Sequence, residues 1–539
     1  VTPRSAASTR CYSSETKTDG GNNNKFYITT PIYYVNDKPH IGHAYTTIAC
    51  DILARYERLK GNDVLFVTGT DEHGQKVQQS AEKAGKTPQE FVNDVSANFR
   101  TLADNLECSH DIFIRTTEER HKEAATALWK MLEEKGQIYL GYYEGWYSVR
   151  DETYYKESEL VDGKAPTGAE VEWVVKEPSY FFKLSEWQQP LLDFYERNPD
   201  FLQPANRKAE VVNFVSGGLQ DLSISRTTFD WGVPVPGDEE KRHVMYVWID
   251  ALTNYLTATG FPWNDDDDDD SSKFWPPSMH VMGKDILRFH AVYWPALLMA
   301  AGLEPPKSVF AHGWWMRDGQ KMSKSIGNVI DPMDLLQKYG VDQTRYFLAS
   351  SVSFGDDGDY NEEAMLTACN GVLANGLGNL AQRSLSLCFK NCEKSLPQKP
   401  EDDKLTEKDR KLLKDAEELF SVVDKSVASK QLHNYCKNIH FFVKDANVYI
   451  DGEAPWSLKK TDPDRMKVVL WVVLESVRRV AIMLQPVMPT AMKSLLDQLR
   501  IGESDRTFAN LKSSELQAED ITKPVAVFPR VEAETSSTA

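Results

Sequence analysis

Pro39-His40-Ile41-Gly42-His43 comes shortly after the run Phe26-Tyr27-Ile28-Thr29-Thr30 and opens a helical pattern near Ile41. A strand that feeds a helix N-terminus leaves free backbone N–H groups at the positive end of the helix dipole, where phosphate binds readily. His40 and His43 share one face of the first turn, so both imidazoles can address one anionic group. Gly42 between them leaves room for a flat ring against the backbone. Far downstream, Lys321-Met322-Ser323-Lys324-Ser325 sets two ammonium groups in a polar loop flanked by Gly319 and Gly327. A mobile cationic loop suits a leaving group that gains negative charge. Taken singly, either segment reads as an ordinary surface or core pair. In this order they form two halves of one phosphate-handling site.

Working outward, the first helical pattern runs through Lys60, and Asp63-Val64-Leu65-Phe66-Val67-Thr68 reads as the next strand. It ends in Gly69-Thr70-Asp71-Glu72-His73-Gly74, with a further helix from about Lys76. This β-α-β-α order predicts an α/β, doubly wound parallel (Rossmann-like) sheet with ligands at the carboxyl ends of its strands. The rhythm breaks near Cys108 and resumes at His243-Val244-Met245-Tyr246-Val247-Trp248-Ile249-Asp250 and at Met279-His280-Val281-Met282-Gly283-Lys284-Asp285. Beyond Asn361 the patterns are helical, over 362–393, 405–450 and 464–499, which predicts a separate bundle. The chain therefore divides into a tail (1–24), a first sheet half (25–108), an insertion (109–245), a second sheet half (246–305), a loop-bearing segment (306–360), a helical domain (361–530) and a polar tail (531–539).

At 539 residues the chain exceeds one core. Its net charge of −18 argues against indiscriminate nucleic-acid binding, while a local basic patch stays possible. The Asp265–Asp270 run reads as a solvated loop rather than a calcium cage. The late apolar stretch Val468–Leu474 is followed by Glu475, Arg478 and Arg479, so it reads as an amphipathic helix and not a membrane span. Seven scattered cysteines, with Cys388 and Cys392 the one close pair, point to a reduced compartment without structural zinc. Val1–Ser14 carries Arg4 and Arg10 among Ser, Thr and Ala with no acidic residue, a transit-peptide composition, and Arg10-Cys11-Tyr12-Ser13-Ser14 is similar to a mitochondrial processing site. Mitochondrial matrix is the expected location ahead of cytoplasm, with chloroplast or dual targeting as alternatives.

Seven segments carry a resemblance: Thr30-Pro31-Ile32-Tyr33-Tyr34-Val35-Asn36, His40–His43, Gly69–Gly74, Val247-Trp248-Ile249-Asp250-Ala251, Gly283-Lys284-Asp285 with Phe289-His290, Lys321–Ser325, and Ala454-Pro455-Trp456. In this order, over about residues 25–500, the chain resembles the methionyl-tRNA synthetase family of class I aminoacyl-tRNA synthetases. The resemblance implies a methionine pocket of Ile32, Tyr34, Asp71, Trp248, Ala251, Leu252, Tyr255, His290 and Trp294. Asp71 can pair with the α-ammonium, and an aromatic slot suits a thioether. It implies that ATP meets Pro39, Gly42, His43, Gly283, Lys284, Asp285, Met322 and Ser323, with magnesium travelling on the nucleotide. His40 and His43 would stabilise the reacting phosphate, and Lys321 and Lys324 the departing pyrophosphate. The helical domain would read a CAU anticodon of tRNA(Met) through Asn379, Arg383 and Trp456. The cysteine-free insertion departs from relatives with a zinc knuckle, and it is too short for a hydrolytic editing domain. A monomer is expected. Rival readings are another class I synthetase, a nucleotidyltransferase sharing the His-x-Gly-His device, and an inactive RNA-binding paralogue.

Overall fold

The computed structural model describes residues 24–532 except 37, 152, 156, 239, 241, 264–269 and 323–326. Its central sheet is parallel and contains β1 (Lys25–Thr29), β2 (Tyr33–Tyr34), β3 (Asp63–Asp71), β4 (Ile112–Arg115), β5 (Leu202–Gln203), β6 (Met279–Gly283) and β7 (Val309–His312). Val67 pairs with Thr29 on one side and Ile112 on the other, so β1 and β2 line one edge of β3 and β4 the opposite edge. The order is β4, β3, β1, β6, β7, β5. Chain direction of travel reverses between β1 and β6, the topological switch point where such sheets bind ligands.

Several boundaries need correcting. β4 and β5 belong to the parallel sheet although both fall in the stretch 109–245 expected to be inserted, and β7 falls beyond 305. These strands have four, two and four residues, too few for a periodic signal. What is truly added is a four-stranded antiparallel sheet of Ile138–Ser148, Thr153–Tyr155, Glu172–Phe182 and Leu222–Ser223.

Against the sheet pack α1 (Ile41–Leu59), α2 (Gln75–Lys83), α3 (Pro88–Asn105), α4 (Glu119–Glu134) and the short α5 (Val247–Leu252). The helical region starts earlier than 361, at α6 (Val341–Ser350), and continues with α7 (Asn379–Asn391), α8 (Glu407–Ala428), α9 (Leu432–Glu453), α10 (Pro455–Thr461) and α11 (Pro463–Leu484). The stretches with helical patterns are internally divided. Within 362–393, Thr367–Gly378 forms wide π-type turns before α7. Within 405–450, Lys430 turns with φ of 58° between α8 and α9.

Helix α1 is buried on nearly every side, because the sheet covers one flank and the bundle the other in one continuous apolar core. Its buried acid, Asp51, is fully enclosed and meets Arg345 of α6 at 2.6 Å. The same guanidinium donates to the carbonyls of Leu106, Pro486 and Val487 at 2.9, 2.8 and 2.9 Å. One side chain thus ties α1, the end of α3 and the bundle together.

Candidate active site

Helix α1 starts with a reciprocal cap built from the two imidazoles. His40 Nδ1 accepts the Gly42 N–H at 3.1 Å, and His43 Nδ1 accepts the His40 N–H at 3.0 Å. The rings lie 3.9 Å apart between centroids, and His43 is wedged edge-on against Tyr33 and Phe99. Burial lowers the pKa of His40 against an opposing pull from Asp285, and burial together with His40 lowers that of His43 much further. Both rings are therefore neutral near pH 7. With each Nδ1 acting as acceptor, the proton sits on Nε2, and each ring keeps one N–H to donate. The flat ring that Gly42 accommodates is that of His40: a Cβ at Gly42 would sit 2.9 Å from its Cε1.

Both histidines line a cavity of about 740 Å³ at the switch point. Eight of the nine expected methionine-pocket residues line it too: Ile32, Tyr34, Asp71, Trp248, Ala251, Leu252, Tyr255 and His290. Trp294 does not. It is fully buried behind Tyr255, with ring centroids 6.0 Å apart, so it supports the wall instead of forming it. Trp248 lies flat on Phe289 at 3.5 Å and meets Tyr34 edge-on at 6.1 Å. Its indole N–H is buried without a partner among the described residues. His290 donates from Nδ1 to the Ile286 carbonyl at 3.1 Å and accepts the Tyr255 hydroxyl on Nε2 at 2.8 Å. Burial pushes its pKa down to about 4, so that neutral tautomer is fixed.

The Gly69–Gly74 segment separates into three roles. Asp71 ends β3 with its side chain in the cavity wall. Glu72 turns into the protein, where Arg115 clasps it at 2.7 and 3.0 Å and Thr70 donates to it at 2.7 Å. His73 bonds Asp250 of α5 at 2.7 Å, and His121 of α4 bonds the other oxygen at 2.8 Å. Burial alone would raise Asp250, yet the two imidazoles hold its pKa at about 2. This cluster locks α5, and with it Trp248, against the strand that carries Asp71.

On the nucleotide side, Gly283, Asp285, Lys321 and Met322 line the cavity. At Gly283 a Cβ would fall 2.6 Å from Asp285 Oδ1, so a side chain there would displace that carboxylate. Pro39 is half-buried outside the lining. Lys284 is also outside it: its ammonium is held by both oxygens of Asp357 at 2.7 Å, which removes it from the expected phosphate contact. Ser323 and Lys324 lie outside the described residues. The chain that follows them returns to α1, where the Ile330 carbonyl accepts the Ile41 N–H at 3.1 Å. Sequence reasoning missed several wall residues. His312 accepts the Thr46 hydroxyl at 2.7 Å, and Lys76 lies over the Tyr34 ring at 5.2 Å. Their signal was positional only: Thr46 lies one turn past Gly42, and Lys76 opens the helix after Gly74. Among the described residues no group of three or more His, Cys, Asp or Glu could hold a metal ion.

Away from the cavity, Arg383 on α7 reaches Asp451 at 2.6 Å and Asn447 at 2.9 Å on α9. Its guanidinium is 5.8 Å from the Trp456 ring, which is 39% exposed after the left-handed Ala454. Asn379 is exposed one turn before Arg383. The three are thus presented on a common side of the bundle's α7–α10 junction.

Comparison with known proteins decides the family. A model described as tRNA synthetases class I (M) matches residues 26–172 and 159–385, and one for the anticodon binding domain of methionyl tRNA ligase matches 399–537. The methionine–tRNA ligase of Rickettsia bellii is 51% identical over 95% of this chain and all of that one. That of Brucella suis is 52% identical over 94% of this chain and 98% of its own. The chain belongs to the methionyl-tRNA synthetase family. As a member it is an aminoacyl-tRNA synthetase, a methionine–tRNA ligase. Mycobacterium tuberculosis methionyl-tRNA synthetase in complex with methionyl-adenylate superposes with a TM-score of 0.90 at 47% identity, covering 94% of this chain and 100% of that one. The free form of the same enzyme gives 0.84 at 43%, covering 96% of this chain and all of its own.

Proposed function

We propose that the cavity holds methionine and ATP side by side, forms methionyl-adenylate, and passes the methionyl group to the 3′ end of tRNA(Met). The observation that carries this is one cavity lined by His40, His43, Lys321 and eight residues of the methionine set. In the first step a methionine carboxylate oxygen bonds to the α-phosphorus as its bond to pyrophosphate breaks. Asp71 pairs with the α-ammonium and so aims the carboxylate. The apolar walls of Trp248, Leu252 and Ala251 take the side chain, and the free Trp248 N–H offers the thioether sulfur a donor that aliphatic rivals leave unanswered. His40 and His43 donate from Nε2 to the reacting phosphate, where charge on the transition state rewards pre-set donors. Lys321, joined by Lys324, accompanies pyrophosphate out. Magnesium arrives with ATP as part of the substrate. Gly283 permits the nucleoside close to the backbone, and Asp285 addresses it.

Asn379, Arg383 and Trp456 read the anticodon CAU. Trp456 stacks on a base, and Arg383 can exchange its Asp451 partner for one. We further propose a monomer serving organellar translation in the mitochondrial matrix. Support for that location is the composition of residues 1–14, which lie outside the described residues, while the relatives named above are bacterial. The test is ATP–pyrophosphate exchange across all twenty amino acids without tRNA. Exchange with methionine alone supports the pocket; exchange with a different amino acid removes it; no exchange returns the RNA-binding paralogue.

A further inference from the structure

We propose that Trp314 is a positioning residue for Lys321, seating its ammonium on the indole face at the cavity rim until pyrophosphate takes it. The idea rests on the reaction proposed above and deepens its leaving-group step. Trp314 lies two residues past the end of β7 and lines the cavity. Its backbone N–H donates to Asp357 Oδ1 at 2.8 Å, and its indole N–H donates to Asp285 Oδ1 at 3.0 Å. The neighbouring Gly313 lets this backbone abut the 356–357 segment, since a Cβ there would lie 2.2 Å from the Asp356 carbonyl oxygen. The ring is therefore fixed at both ends.

Two cations use that ring. Lys284 Nζ lies 4.3 Å and Lys321 Nζ 3.8 Å from its centroid. Lys284 is committed to Asp357 as well, and so it belongs to the scaffold. Lys321 is delivered by a hairpin in which Trp315–Arg317 pairs with Gln320–Lys321 through Asp318 and Gly319, both left-handed. Its backbone is thereby pinned opposite Met316 while its exposed side chain can move. The choice of partner matters. A carboxylate in the same place would compete with a polyphosphate for the ammonium and repel the nucleotide. An indole face attracts a cation by its quadrupole, carries no net negative charge, and is a weaker partner than a phosphate oxygen. Handover of Lys321 from ring to pyrophosphate then runs downhill, from a starting point already at the rim. Removing the ring leaves a four-carbon side chain to be ordered when ATP binds.

The test uses the full chain in methionine-dependent ATP–pyrophosphate exchange with W314L, W314F, K321A and the double variant W314L/K321A. W314L is expected to lower kcat/KM for ATP by about tenfold, with KM for methionine unchanged. W314F keeps an aromatic face and should stay within about threefold of the unmodified chain. Because the effect runs through Lys321, W314L should add less than about twofold in the K321A background. The inference is overturned if W314L matches the unmodified chain, if W314F falls as far as W314L, if the W314L and K321A losses multiply, or if W314L raises KM for methionine as much as for ATP. An unmodified chain with no methionine-dependent exchange overturns the reaction reading instead.

Discussion

Replacing Arg345 by methionine removes a fully buried guanidinium and keeps the aliphatic stem. The change strips Asp51 of one cation at 2.6 Å and leaves three carbonyls, of Leu106, Pro486 and Val487, without that donor. Breaking a buried ion pair from one side costs about 3–5 kcal/mol. Asp51 keeps Arg55 at 2.7 Å and two bonds from Ser109 at 2.6 Å, so the lower end applies, about 3 kcal/mol. The same cluster sets a pH dependence. Burial raises Asp51, but Arg345, Arg55 and Ser109 together outweigh it and hold the pKa at about 2 against 3.8, worth about 2 kcal/mol in all. That contribution is full above pH 4 and fades as pH falls toward 2, because the unfolded carboxyl protonates first. In urea, with a slope of about 3 kcal/mol/M, R345M should lower the midpoint by about 1 M. Adding D51N should recover part of it, since no buried charge is then stranded. A midpoint for R345M within about 0.1 M of the unmodified chain would refute the reasoning.

The other expectations concern the chemistry. H43A should reduce pyrophosphate exchange by about 10²–10³-fold while methionine binding, followed by equilibrium dialysis, stays near its original value. Exchange should hold steady from pH 8 through the ordinary imidazole value of about 6.5 and decline only at more acid pH, because the lowered pKa values of His40 and His43 delay the protonation that destroys the Nδ1 acceptors of the cap. Stability should follow the same sign: His40, His43, His280, His290 and His312 all have lowered pKa values, so the unfolded chain takes up protons first and stability falls as pH drops below about 6.5. A pH profile rising toward acid would contradict this. W456A should lower tRNA charging by about 5–150-fold, the loss of one stacked base, and leave tRNA-independent exchange unchanged.

Much of the site was readable because its residues occupy strand ends and helix starts, where local chemistry is distinctive. His40 and His43 cap a helix, Asp71 ends a strand, and Trp248 sits on the short helix after a strand; all reach the expected cavity. The misreadings have other causes. Trp294 shares a helical neighbourhood with His290, and sequence does not tell a wall from the support behind it. Lys284 looked available because its partner Asp357 is 73 residues away. Likewise β5 joins the sheet through only Leu202 and Gln203, a pairing that follows from the rest of the fold being in place. The π-type turns at Thr367–Gly378 keep the apolar spacing of an ordinary helix closely enough to pass as one. Asp51 and Arg345 were silent for the opposite reason: each is a charged residue in an amphipathic pattern, where solvent is the default partner.

The most direct single measurement is methionylation of a tRNA(Met) transcript with anticodon CAU beside the same transcript with its first anticodon base changed. Rapid charging of the first with methionine, and a loss of several orders of magnitude for the second, is the expected result. Equal charging of both would contradict the role given to Asn379, Arg383 and Trp456, and charging of neither by a chain that exchanges pyrophosphate would contradict the ligase reading itself.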